Sequence, residues 1–169
     1  MIDVLLRDLR QPEYIHVLIN PLPVYGLATG LIGLLAALIL RSRPAQIATL
    51  ILVLITAASA WPVYEFGEQA YDRVLAMTDD PGRAWLDEHL RRGEQLIYVF
   101  YALAVLALVA IIVPVKWPPS ATALASAVLI LGFVTLGCGG YIAYAGGKIR
   151  HREFRNVPPP PKKEEANEH

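Results

Sequence analysis

Four stretches of this chain, residues 21–40, 47–64, 96–115 and 121–144, run nearly free of charge for the length needed to cross a hydrocarbon core of about 30 Å. In lipid, backbone amides must be satisfied within the segment or in a closed barrel, and none of the four shows the two-residue alternation of a barrel strand. The pattern predicts an all-α fold: a four-helix transmembrane bundle with a short N-terminal interfacial helix and a disordered C-terminal tail. Residues 1–12 form the amphipathic segment, 13–150 the membrane domain, and 151–169 a basic and then proline-rich tail.

Prolines set the expected boundaries. Asn20-Pro21 reads as an N-cap followed by proline in the first helical position, and Ser42 with Pro44 repeats that grammar for the second helix. Pro114 and Trp117-Pro118-Pro119-Ser120 predict a tight turn between the third and fourth helices. The middle connection, residues 67–93, is longer, and Asp80-Pro81 within it predicts a cap for a helix running into the third span. Pro62 leaves the Ala58 carbonyl without its donor and predicts a kink in the second helix.

Outside the spans, Ile2, Leu5, Leu6 and Leu9 share one helical face, which suits either the membrane interface or docking on the bundle. From Val157 the Pro-Pro-Pro-Pro-Lys-Lys-Glu-Glu run cannot bury a core. The first span lacks a small-residue cleavage site and is too long for a signal-peptide core, so it is expected to remain in the mature protein.

Composition sharpens the class. Of 169 residues, 55% are apolar and 18% charged, with a mean hydropathy of +0.43, which excludes an ordinary water-soluble globule. Fifteen basic side chains balance fifteen acidic ones, leaving no nucleic-acid face, and the single cysteine, Cys138, excludes a disulfide framework. Twelve of the fifteen Lys/Arg residues fall on the side that carries the termini, against Arg41, Arg43 and Lys116 on the other. This bias predicts an N-in, C-in topology, with both termini cytoplasmic.

Two features could carry function. Small residues recur at helical spacing, Gly26 and Gly30 in the first helix and Thr135, Gly139, Ala143 and Gly147 in the fourth. Such stripes serve close packing inside one bundle or a face toward a homo-oligomer or other membrane subunits. The second feature is a rim: His16, His89 and His151 fall on the terminal side with Glu65, Glu68 and most of the tyrosines. His16 and His89 form the candidate pair for a b-type haem, with Arg92 as a partner for its propionates; with Glu65 and Glu68 they form a candidate metal set. Interfacial belts of histidine, aromatic and glutamate residues serve a purely structural role equally well. No nucleophile with its base, phosphate loop or closed metal motif occurs, and no span has a charge near its midpoint, so catalysis and transport have little support.

Ile15-His16-Val17-Leu18-Ile19-Asn20-Pro21-Leu22-Pro23, His89 ahead of the third helix, and Gly139-Gly140-Tyr141-Ile142-Ala143-Tyr144 resemble the bacterial membrane family catalogued as domain of unknown function 2231. The resemblance covers residues 14–150. Where that family has a second histidine this chain has Pro21, and Ala145-Gly146 replaces a His-Gly pair. The resemblance implies a four-helix inner-membrane protein sometimes associated with redox domains. Two functions follow as expectations: a non-catalytic accessory subunit of a membrane complex, or an electron-transfer protein with a haem or metal at the His16–His89 rim.

Overall fold

The computed structural model describes residues 2–160. Its helices are α1 (Ile2–Asp8), α2 (Pro12–Ile19), α3 (Leu27–Ile39), α4 (Arg43–Ala58), α5 (Ala60–Ala76), α6 (Asp80–Lys116) and α7 (Ala121–Arg150), and no strand occurs among the described residues. Four continuous helical runs are long and apolar enough to cross a membrane: Pro12–Ile39, Arg43–Ala76, Asp80–Lys116 and Pro118–Arg150. They are called the first to fourth spans below. The chain is thus a multi-pass bundle, as its apolar pattern predicts.

Two boundaries differ from expectation for physical reasons. The first helical run starts at Pro12, not Pro21, because Leu22–Gly26 forms a π-helical turn between α2 and α3 that carries the chain through two prolines. Asn20 N–H donates to the His16 carbonyl at 2.8 Å, so Asn20 closes α2 where an N-cap was expected. The middle connection shrinks from 67–93 to Met77, Thr78 and Asp79, because the polar segments on either side continue their helices beyond the apolar core. Asp79, one residue before the expected cap, accepts the Gly82 N–H at 3.2 Å. At about 1.5 Å per residue the 37-residue α6 is about 55 Å long, leaving about 25 Å beyond a 30 Å hydrocarbon core. The second span breaks at Ser59, just ahead of Pro62.

Each span packs on its two neighbours around a square, the first on the second and fourth, and the third on the fourth and second. Leu27, Leu34, Leu50, Val53, Leu103 and Val128 fill the centre with no exposure. Ile2, Val4 and Leu6 of α1 are each more than half exposed, which leaves apolar surface on this helix for the membrane interface. The odd-to-even turns are short, as expected. Arg41 closes the first: it sits at φ 50°, with its N–H donating to Leu38 and Ser42 N–H to Ala37, the paired bonds of a Schellman cap. That left-handed position favours glycine. Arg41→Gly is expected to raise stability in detergent by about 1 kcal/mol, and Arg41→Ala to raise it far less, measured by reversible unfolding.

Candidate functional site

The site lies at the end of the bundle that carries the N-terminal segment, the α5–α6 connection and the end of α7. Pro21 and Pro23 lack the N–H that would close the preceding helical turns, and the wider π turn, marked by Leu27 N–H on the Leu22 carbonyl, absorbs the mismatch. One turn before it His16 points at the second span, Nδ1 lying 2.8 Å from the Val63 carbonyl oxygen. Its ring rests on Gly67: a Cβ there would stand 3.0 Å from both Cε1 and Nδ1.

The third and fourth spans repeat this arrangement. His89 Nδ1 lies 3.0 Å from the Ile142 carbonyl oxygen, and a Cβ on Gly146 would stand 3.1 Å from its Cε1 and Nδ1. In both cases the glycine follows the accepting carbonyl by four residues, so one helical turn supplies both the acceptor and the notch. A carbonyl only accepts, so the proton sits on Nδ1 of each ring, and the neutral imidazole keeps its lone pair on Nε2. Neither Nε2 has a hydrogen-bond partner among the described residues. The two rings stand on the first and third spans, which are diagonal to one another in the bundle.

The repetition extends over whole hairpins. Buried Leu27, Gly30, Leu34 and Ala37 correspond to buried Phe100, Leu103, Ala107 and Ala110 at the same offset that separates His16 from His89. In the even spans Ala48, Leu50-Ile51-Leu52, Thr56 and Gly67 recur as Ala127, Leu129-Ile130-Leu131, Thr135 and Gly146. Buried Thr56 and Thr135 each donate to the carbonyl four residues earlier, Leu52 and Leu131, at 2.8 Å. The bundle is a pair of equivalent hairpins, each contributing one tethered imidazole.

Charges flank the rings. Glu88 accepts from Arg91 and from Arg92 Nε at 2.7 Å, and Arg92 Nη1 donates to the Tyr141 carbonyl at 2.7 Å while its guanidinium stacks 3.7 Å above the Tyr141 ring. Glu88 and Arg92 are both buried, and exposed Arg91 is a second partner of the same carboxylate. Lys148, only 2% exposed, donates to the Tyr144 hydroxyl at 2.7 Å and lies 4.0 and 4.3 Å from the Tyr144 and Trp85 rings. Its position in the last turn of α7 adds the favourable helix dipole.

The sequence-predicted residues divide sharply. His16 and His89 occupy matching carbonyl-and-glycine cradles, one against the second span and one against the fourth. Glu65 and Glu68 are exposed and bonded locally to Gln69 and Tyr64, and no group of three metal-ligating side chains forms among the described residues, so the four-residue metal set is not assembled. Arg92 is engaged by Glu88 and Tyr141 rather than held free for a propionate. His151 stacks on Phe154 and pairs with Glu153 at 2.9 Å in an exposed position; His169 lies outside the described residues. Gly26 and Gly30 meet Thr56 and Val53 of the second span, and Gly139 meets Val24 and Phe100. Ala143 is exposed and Gly147 faces Phe154, because positions four apart drift about 40° per step around a helix and leave the packed face. Gly67, Gly146 and Lys148 were not singled out by sequence reasoning; the repeated Leu-Ile-Leu, Thr and Gly of the even spans is the signal that exposes the two glycines.

No protein-family model, curated protein or solved structure matches this chain.

The end of the bundle is closed by the segment after α7. Arg155 donates to the Lys148 and Ile149 carbonyls at 2.7 and 2.6 Å and to Asp79 at 2.9 Å, while Arg152 reaches Asp79 at 3.1 Å. The hydrogen bond from Arg155 holds the Asp79 carboxyl below the ordinary aspartate value, with Gly82 N–H and the Arg152 charge adding to it. Because the folded value lies below the unfolded one of about 3.9, the contribution is complete above that pH and is lost as pH falls through the folded value. Amide exchange across residues 149–155 is therefore expected to be constant from about pH 7 to 5 after correction for intrinsic rates, and to accelerate only below about pH 4. Asp79→Asn is expected to show the accelerated exchange already at neutral pH.

Proposed function

We propose that this protein is a small accessory subunit of a redox complex in the bacterial inner membrane, carrying one b-type haem between His16 and His89. The observation that carries the reading is the paired tether, each imidazole donating Nδ1–H to a backbone carbonyl over a glycine notch. Metal-ligating histidines characteristically donate their second N–H in this way, which fixes the ring and raises the basicity of the free nitrogen.

The donor count separates haem from a bare ion. A structural zinc site takes four protein ligands and a catalytic one three, more than any cluster among the described residues provides. Haem brings four nitrogen donors of its own, so the two imidazoles of His16 and His89 would be enough to hold it. When bound, it would supply a reversible one-electron couple. The chain's own part is orientation and electrostatics. Val63 and Ile142 hold the rings, Gly67 and Gly146 let them approach the neighbouring helices, and Glu88 with the Tyr141 carbonyl fixes the Arg92 guanidinium one turn from His89.

The resemblance of residues 14–150 to the domain of unknown function 2231 family supports the same setting, as does the basic bias that favours cytoplasmic termini. The rim then stands on the cytoplasmic side, within reach of another subunit's redox group. No substrate transformation is assigned to the chain itself.

Protein purified in mild detergent from a haem-supplemented host is expected to show a reduced-minus-oxidised haem spectrum. The spectrum should be lost in His16→Ala and His89→Ala, weakened in Gly146→Leu, and unaffected in Glu65→Gln and Glu68→Gln. A well-folded, colourless wild-type protein from that host would overturn the proposal.

A further inference from the structure

At the other end of the bundle, a cavity of about 450 Å³ opens between the turn of the first hairpin and the turn of the second. Arg41, Arg43 and Gln46 supply its polar wall, with Leu38, Pro114 and Pro118 opposite. We propose that this cavity binds the phosphate headgroup of an anionic phospholipid, a role separate from the histidine rim.

Charge is the first ground. No Asp or Glu occurs in residues 14–64 or 95–152, so Arg41, Arg43 and Lys116 face this end without a carboxylate, and none of them enters an ion pair among the described residues. Arg43 reaches only neutral acceptors, Gln46 Oε1 at 3.3 Å and the Ala110 carbonyl at 3.2 Å. Those bonds hold the guanidinium against the third span while leaving its charge uncompensated. A phosphate oxygen pair is the natural complement of such a planar fork.

Arg41 is the second ground. Its left-handed backbone favours glycine, so the fold alone does not call for arginine there, whereas an anion beside Arg43 does. The third ground is the collar. Ile39, Leu40, Val115 and Trp117, which adjoin lining residues along the chain, are 72%, 75%, 80% and 64% exposed, an apolar set with an indole that suits acyl chains and the membrane interface rather than water. Free phosphate would use the same guanidinium fork but gain nothing from that apolar set. A lipid is also held at high local concentration by the bilayer.

Native mass spectrometry of the detergent-purified protein tests this, with phosphatidylglycerol and phosphatidylcholine added in equal amounts. Retention of phosphatidylglycerol is expected to exceed that of phosphatidylcholine by about tenfold, and the preference should fall in both Arg41→Gly and Arg43→Gln. Because Arg41→Gly is favoured by the backbone, its loss of lipid alongside an unchanged or raised melting temperature separates binding from folding. Millimolar inorganic phosphate is expected to leave lipid retention unchanged. Equal retention of the two lipids, an undiminished preference in a folded Arg41→Gly protein, or displacement of the lipid by inorganic phosphate would each overturn the proposal.

Discussion

Helices surrounded by hydrocarbon gain little from hiding apolar surface from a solvent that is itself apolar, so they are held together chiefly where their backbones can come close. Glycine provides that approach at several crossings in this bundle. Gly26, Gly30 and Gly33 admit Thr56, Val53 and Thr49 between the first two spans; Gly132 receives Leu31, and Gly139 receives Val24 and Phe100. At the terminal end the same device changes its guest. Gly67 and Gly146 admit imidazoles in place of aliphatic groups, and the packing rule becomes a way of fixing two imidazole rings.

The equivalence of the hairpins makes this more than coincidence of spacing. Corresponding glycines, threonines and core residues place His16 and His89 in matching surroundings, each between an odd and an even helix. Departures from the equivalence fall around the rings. Trp85, Lys148 and the Glu88–Arg92 pair belong to the second hairpin, whereas the π turn belongs to the first. The shared scaffold thus supplies the tethers, and the unequal residues give the two sides different electrostatic surroundings.

Apolar run length made the four spans legible, because a bilayer leaves few alternatives for a long uncharged segment. The extent of the helices was less legible. Asn20-Pro21 has the composition of a helix start, but a π turn lets the chain continue through the prolines, a choice made by tertiary packing rather than by local preference. The polar segments that lengthen the second and third spans likewise carry a helical pattern without the hydrophobicity that marks a membrane crossing. His16 and His89 stood out as residue types at a rim, whereas their glycine cradles required knowing which helix faces which. The pairing of Arg92 with Glu88, four residues earlier on the same helix, was legible from spacing and went unused, whereas its second acceptor, a carbonyl from a distant span, was not.

The tether of His89 to the Ile142 carbonyl also bears on the order of events during synthesis. His16 meets its acceptor as soon as the first hairpin is threaded, within a local contact of 47 residues. His89 must wait for nearly the whole fourth span, and only then are both rings immobilised. A ribosome halted before that helix has emerged would leave one imidazole positioned and the other swinging, so the completed pair marks a chain that has finished inserting.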